Sequence, residues 1–331
     1  MIQFAILIAA VLLQPWAFAA DSVPNRATAE NAMSLLQKVA QTSMTLSYSG
    51  VFVYRSGERE ETSRIARLVV DGRELERIEV LDGSAREVIR DGKEVKCYLP
   101  NENRVIVERQ SSVRGFPALV PIALAGLAQN YAVRVGSVGR VADTACQSLL
   151  LEPRDALRYG HQLWIEPNSG LLLKAGLVNQ QGQVLESFTF TQVSIGSRFA
   201  RQQLIPSAES QLGRVQTVQS SEPRTGEMKW TIENLPAGFR VSKVMMRRAA
   251  NALNTPNTPS AQDVVHFVIS DGLAAVSVFI EAAAANKPSE SITTGGAMNF
   301  YQRQIGDHRA IVMGEVPLVT VKLIGDAIER R

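Results

Sequence analysis

The sequence predicts an α+β protein built mainly on one strongly curved antiparallel sheet, with a smaller mixed α+β domain behind a linker. Three observations predict it. Short runs rich in Val, Ile and Tyr are separated by Asp71-Gly72, Asp82-Gly83 and Asp91-Gly92, pairs suited to hairpin turns. Polar and apolar residues alternate in Val95 to Leu99 and in Leu75 to Val80, giving one wet and one apolar face, and no strand–helix–strand rhythm interrupts them. From Ser207 to Gly226 the composition turns to Ser, Gln and Glu, so the chain divides into residues 20–205, a linker over 206–226 and a domain over 227–331.

In chain order, an apolar run from Ile2 to Leu13 ends in Ala17-Phe18-Ala19. This predicts a secretory signal peptide over residues 1–19 and an exported protein, with a retained membrane anchor as the alternative. Ala29 to Ala40 carries Ala32, Met33, Leu35, Leu36, Val39 and Ala40 at helical spacing, with Thr28 at the N-cap position. Strands are expected at 46–54, 64–70, 75–81, 87–89, 95–99 and 104–107. After the uncharged segment FPALVPIALAGLAQ they resume at 131–135, 146–151, 161–165, 171–178 and 184–193. Past the linker, strand-like runs occupy 264–269, 274–280 and 310–313. Pro317 opens a closing helix that presents Val319, Leu323, Ile324, Ala327 and Ile328.

The 331 residues carry 35 Lys+Arg against 32 Asp+Glu, too balanced for a nucleic-acid binder. The three histidines lack metal-ligand spacing; His161 and His266 fall in strands and read as solvent-facing or satisfied core residues. No nucleophile elbow, phosphate loop or dinucleotide fingerprint occurs, so the sequence proposes no reaction, no enzyme and no cofactor.

An apolar sheet face must be covered, and only the first helix and the segment from Phe116 onward are available to cover it. Two readings stand: a fully packed core, or a hydrophobic cavity bordered by Phe116, Leu119, Val120, Ile122, Leu124 and Leu127, where Pro117 and Pro121 break regular structure. Cys97 and Cys146 are either a disulfide, which an oxidising compartment permits, or two separate buried thiols. Arg240, Lys243, Arg247 and Arg248 crowd into nine residues with Val241, Val244, Met245 and Met246 between them. As strand or helix this is a basic stripe, either a solvated face or a surface for an acidic partner or lipid phosphate.

Several stretches, in order and spacing, resemble the MucB/RseB family. They are Ala85 to Gly92, Tyr131 followed by Val138 to Asp143 and Cys146, Arg158-Tyr159 leading to Leu163-Trp164-Ile165, Trp230-Thr231, Leu235 to Phe239, Ser270 to Leu273 and Gly314 to Pro317. The resemblance implies a LolA/LolB-like half-barrel covered by helices, followed by a small C-terminal domain. It also implies a periplasmic regulator that binds the periplasmic domain of a MucA/RseA-type anti-sigma factor and responds to lipid or lipopolysaccharide, with homo-oligomers open. A lipid or lipoprotein carrier using the same cavity is the competing expectation. The resemblance implies no Cys97–Cys146 bond.

Overall fold

The computed structural model describes residues 26–108, 124, 126–196, 201–207, 213–223, 228–249, 263–283 and 290–331. Helix α1 (Arg26–Thr45) opens the fold and buries Ala32, Leu36, Val39 and Ala40. Thr28 lies inside this helix and not at its N-cap.

The strands that follow are β1 (Tyr48–Ser56), β2 (Arg59–Val70), β3 (Arg73–Val80), β4 (Glu87–Asp91), β5 (Glu94–Leu99) and β6 (Arg104–Glu108). After the short helix α2 (Leu127–Asn130) come β7 (Tyr131–Val141), β8 (Thr144–Pro153), β9 (Gly160–Ile165), β10 (Leu172–Val178) and β11 (Val184–Ile195). These eleven strands pair antiparallel in the spatial order β7-β8-β9-β10-β11-β1-β2-β3-β4-β5-β6. The Asp71-Gly72 turn has φ of 51° and 72°, the left-handed pair that a two-residue hairpin matching strand twist requires.

The sheet curls around α1. The helix packs on β7, Lys38 Nζ donates to the Pro167 carbonyl at 2.5 Å in the β9–β10 turn, and the Ser43 carbonyl accepts from Arg67 on β2. One core joins α1 to strands as far apart in the sheet order as β7 and β2, which brings both flanks of the sheet onto the helix. The core inside the curl joins α1 to Tyr48, Phe52, Ile65, Tyr131, Leu149, Leu163, Leu173 and Phe190. The expected half-barrel is thus present, with α1 as its plug.

The second core is separate. It gathers Trp230, Phe239, Phe267, Ile269, Val276, Val278, Tyr301, Val312, Val321 and Ile324. Its strands are β13 (Trp230–Ile232), β14 (Arg240–Ala249), β15 (Asp263–Ser270), β16 (Ala275–Ala282), β17 (Glu290–Gly295), β18 (Met298–Ile305) and β19 (His308–Gly314), followed by helix α3 (Leu318–Asp326) and β20 (Ile328–Arg330). Pro317 precedes α3 and its carbonyl accepts from Thr320 N–H at 2.8 Å. Ile328, expected on the helix face, instead leaves the helix and pairs with Ile232.

The polar stretch after Ser207 also forms a strand, β12 (Arg214–Ser221). Its first half pairs parallel with β6 and its last four residues antiparallel with β14. Through it β14, β15, β16, β19, β18 and β17 continue the first sheet, making one sheet of 18 strands; β13 and β20 pair apart.

Candidate functional site

The inner face of the half-barrel extends beyond the helix that fills it. Cross-strand register aligns Ile65, Ile78, Val88, Cys97 and Ile106, one residue each from β2 to β6. Ile65 is fully buried beneath α1, whereas the other four are half-buried, so the row runs out of the core as an apolar track. Alternation puts residues two apart on the same face. Alongside the track, Arg67, Glu76 and Arg90 are in register, and two strands on Val95 faces Glu108.

That second row is a rail of charge. Arg67 and Glu76 are each 2% exposed; the Arg67 guanidinium donates to Glu76 at 3.2 Å, to Glu74 at 2.6 Å and to the Ser43 carbonyl at the end of α1. Arg90 Nε lies 3.8 Å from both glutamates. A cation at a helix C-terminus also meets the negative end of the helix dipole. The rail therefore ties the plug helix to the sheet and borders the apolar track with buried ions.

Of the residues expected to border a cavity, Phe116, Leu119, Val120 and Ile122 lie outside the described residues. Leu124 is half-buried against the core, and Leu127, the first residue of α2, is 2% exposed within it. The apolar track was missed by the sequence reading because its members come singly from five strands. Only the pairing register brings them together. Cys97 lies on the track and Cys146 in the core behind α1 on β8, and both are free thiols. The disulfide allowed by the sequence is thus not formed: the half-barrel places the two sulfurs in different parts of the sheet. Burial pushes both thiol pKa values up.

The stripe on β14 is resolved into separate roles. A bulge between Val241 and Lys243 moves Val241 into register with Ile269, so Lys243, Met245 and Arg247 share a face without it. Arg247 donates to Glu108 at 3.0 Å and joins the charge rail of the first sheet to the second domain. Met245 is buried, Lys243 half-buried and Arg240 exposed. The Arg248 side chain lies outside the described residues; its backbone pairs with Gln219 and Asp263.

Met245 faces His266, which is 4% exposed and stacked on Phe279 with centroids 4.2 Å apart. Nε2 lies 3.0 Å from Ser277 Oγ, and Nδ1 has no partner among the described residues. Burial, aided by the Arg247 and Lys243 charges, lowers its pKa to about 4. Between about pH 6.5 and 4 the unfolded chain takes up this proton and the folded chain does not, so stability falls as pH drops through that window. Urea midpoints at pH 7 and pH 4 should show the wild type losing about 2–3 kcal/mol more than His266→Phe, a discount on the full linkage for a shift of this size. Equal losses would contradict the assignment.

A second junction joins the domains at the opposite end of the sheet. Arg158, in the β8–β9 loop, and Asp271, in the β15–β16 turn, form an ion pair at 2.7 Å with both side chains fully buried. Arg158 also donates to the Ala237 carbonyl at 2.6 Å and to Asp155 at 3.0 Å, and lies over the Phe239 ring at 4.8 Å. Asp271 accepts from Tyr131 Oη at 3.3 Å and from the backbone N–H groups of Leu273 and Ala274. Thr320 Oγ1 donates to the Leu157 carbonyl at 2.6 Å, fixing α3 to the same loop.

Comparison with known proteins covers both domains. A family profile described as MucB/RseB N-terminal domain matches residues 31–208, and one described as MucB/RseB C-terminal domain matches 224–329. The chain is 33% identical to the sigma factor AlgU regulatory protein MucB of Pseudomonas aeruginosa over 91% of each chain. It is 26% identical to the sigma-E factor regulatory protein RseB of Salmonella typhimurium over 90% of each. It is similar in structure to MucB in complex with MucA(peri), with a TM-score of 0.71 and 30% identity over 91% of this chain and 99% of that one.

Proposed function

Since the chain belongs to the MucB/RseB family, we propose that it is an exported regulatory protein, working in the periplasm and carrying no catalysis of its own. It binds the periplasmic domain of a membrane-spanning anti-sigma factor of the MucA/RseA type and shields it from proteolysis. A lipid or lipopolysaccharide fragment relieves that protection. The observation that carries the reading is the likeness over nearly the whole chain to MucB, a protein solved in complex with MucA(peri).

The inner face of the first domain supports the lipid half of the reading. An acyl chain laid on Ile78, Val88, Cys97 and Ile106 removes apolar surface from water, about 25 cal/mol for each Å². The carrier reading draws on the same track. The second domain, held to the first at two junctions, favours regulation.

The test mixes the purified protein with the anti-sigma factor's periplasmic domain and a periplasmic protease. The expected result is a complex in which the domain survives, and cleavage restored when lipopolysaccharide is added. Val88→Asp should abolish the lipopolysaccharide response and leave the complex intact. Absence of a complex, together with recovery of many lipoproteins from membrane extracts, would replace regulation with carriage.

A further inference from the structure

Strand β14 is paired unequally along its two sides. Strand β15 accompanies it from Arg240 to Arg248, but β12 reaches only Met246 to Ala249. Strand β12 ends at Ser221, and Pro223 explains the stop: proline has no N–H to give a ladder and restricts the residue before it. Beyond that point Arg240 to Met245 has no strand on its outer side among the described residues. Among the described residues the sheet thus has a gap about 20 Å long, one short strand's length.

The open edge is cationic and partly apolar. Arg240, Val241 and Ser242 are exposed, while Lys243 and Val244 are half-buried. Ser242 Oγ donates to the Val268 carbonyl at 2.9 Å, which holds the bulge to β15. Glu222 is the only acidic residue in the described chain immediately after β12. A second copy of this chain is a poor occupant, because a two-fold antiparallel pairing of this edge with itself would set Lys243 diagonally beside Lys243 of the other copy.

We infer that this edge is a slot for an extended segment bearing carboxylates, which adds a strand to β14 in line with β12. The inference rests on the proposed function for its partner, and assigns the segment to the anti-sigma factor's periplasmic domain. Main-chain hydrogen bonds would give affinity, and the Arg240 and Lys243 charges would select acidic sequence and speed encounter.

Hydrogen exchange of the full chain, with and without the partner's periplasmic domain, tests it directly. Those amides of residues 240–245 that point away from β15 should exchange quickly alone and gain protection in the complex. Pro223→Val should let β12 run on into the slot and weaken the partner about tenfold. The pair Arg240→Glu and Lys243→Glu should slow association at low salt. A complex that forms with unchanged exchange over 240–245 and unchanged affinity for Pro223→Val would overturn the slot and leave the proposed function standing. Protection already present without partner would overturn it too: concentration dependence would assign the edge to a second copy, and independence to a segment of the same chain. No complex with the wild type would remove the proposed function itself.

Discussion

Replacing Arg158 with methionine should lower the unfolding free energy by about 3–5 kcal/mol, because the Asp271 carboxyl would be left in a fully buried site without its ion-pair partner. The loss reaches both domains. Arg158 also satisfies the Ala237 carbonyl and packs on Phe239 in the second core, while its own loop belongs to the first. The variant should therefore unfold in urea with an earlier midpoint and with the two domains separating before either melts. Arg158→Met combined with Asp271→Asn should regain most of the loss: the buried negative charge is gone, and the amide oxygen can still accept from Leu273 and Ala274. A loss below about 1 kcal/mol would mean that water reaches the pair and screens it.

Replacing Arg67 with methionine should cost a similar ~3–5 kcal/mol, for a related reason. Glu76 would remain 2% exposed beside Glu74, and the end of α1 would lose the donor to the Ser43 carbonyl. The two variants differ in a second readout. Loosening α1 exposes the core face of Tyr48, Phe52 and Ile65, so Arg67→Met should bind an apolar fluorescent dye strongly, whereas Arg158→Met should not. Dye binding unchanged from wild type would show that packing alone holds the helix.

Much of the first domain is legible because its turns are made of residues that can do little else. Asp71-Gly72 and Asp91-Gly92 mark their hairpins, although the barrel-lining face of the strands between them mixes Glu76 and Arg90 with Ile78 and Val88. The second half of β7 is not legible. A bulge between Val135 and Val138 breaks its alternation, and the turn that follows uses Ala142 and Asp143 at φ of 47° and 58°, where alanine gives no signal. Strand β12 is hidden for another reason. Its residues are polar, Val215 is 66% exposed, and it is held by backbone pairing to strands of both domains rather than by burial. The same limit applies to the site. Arg247 reads as one of four surface cations, and only the parallel pairing of β12 with β6 brings it to Glu108.

That pairing also bears on how the chain survives among enzymes that cut proteins. A Ser- and Gln-rich connector is ordinarily the first place to be nicked, since a protease must draw several residues as a free strand into its own cleft. Between Arg214 and Ser221 the strand is already spoken for, on one side by β6 and then on the other by β14. Cleavage there must wait for the sheet to come apart locally, so the lifetime of that stretch follows the stability of its pairing with β6 and β14 and not its composition.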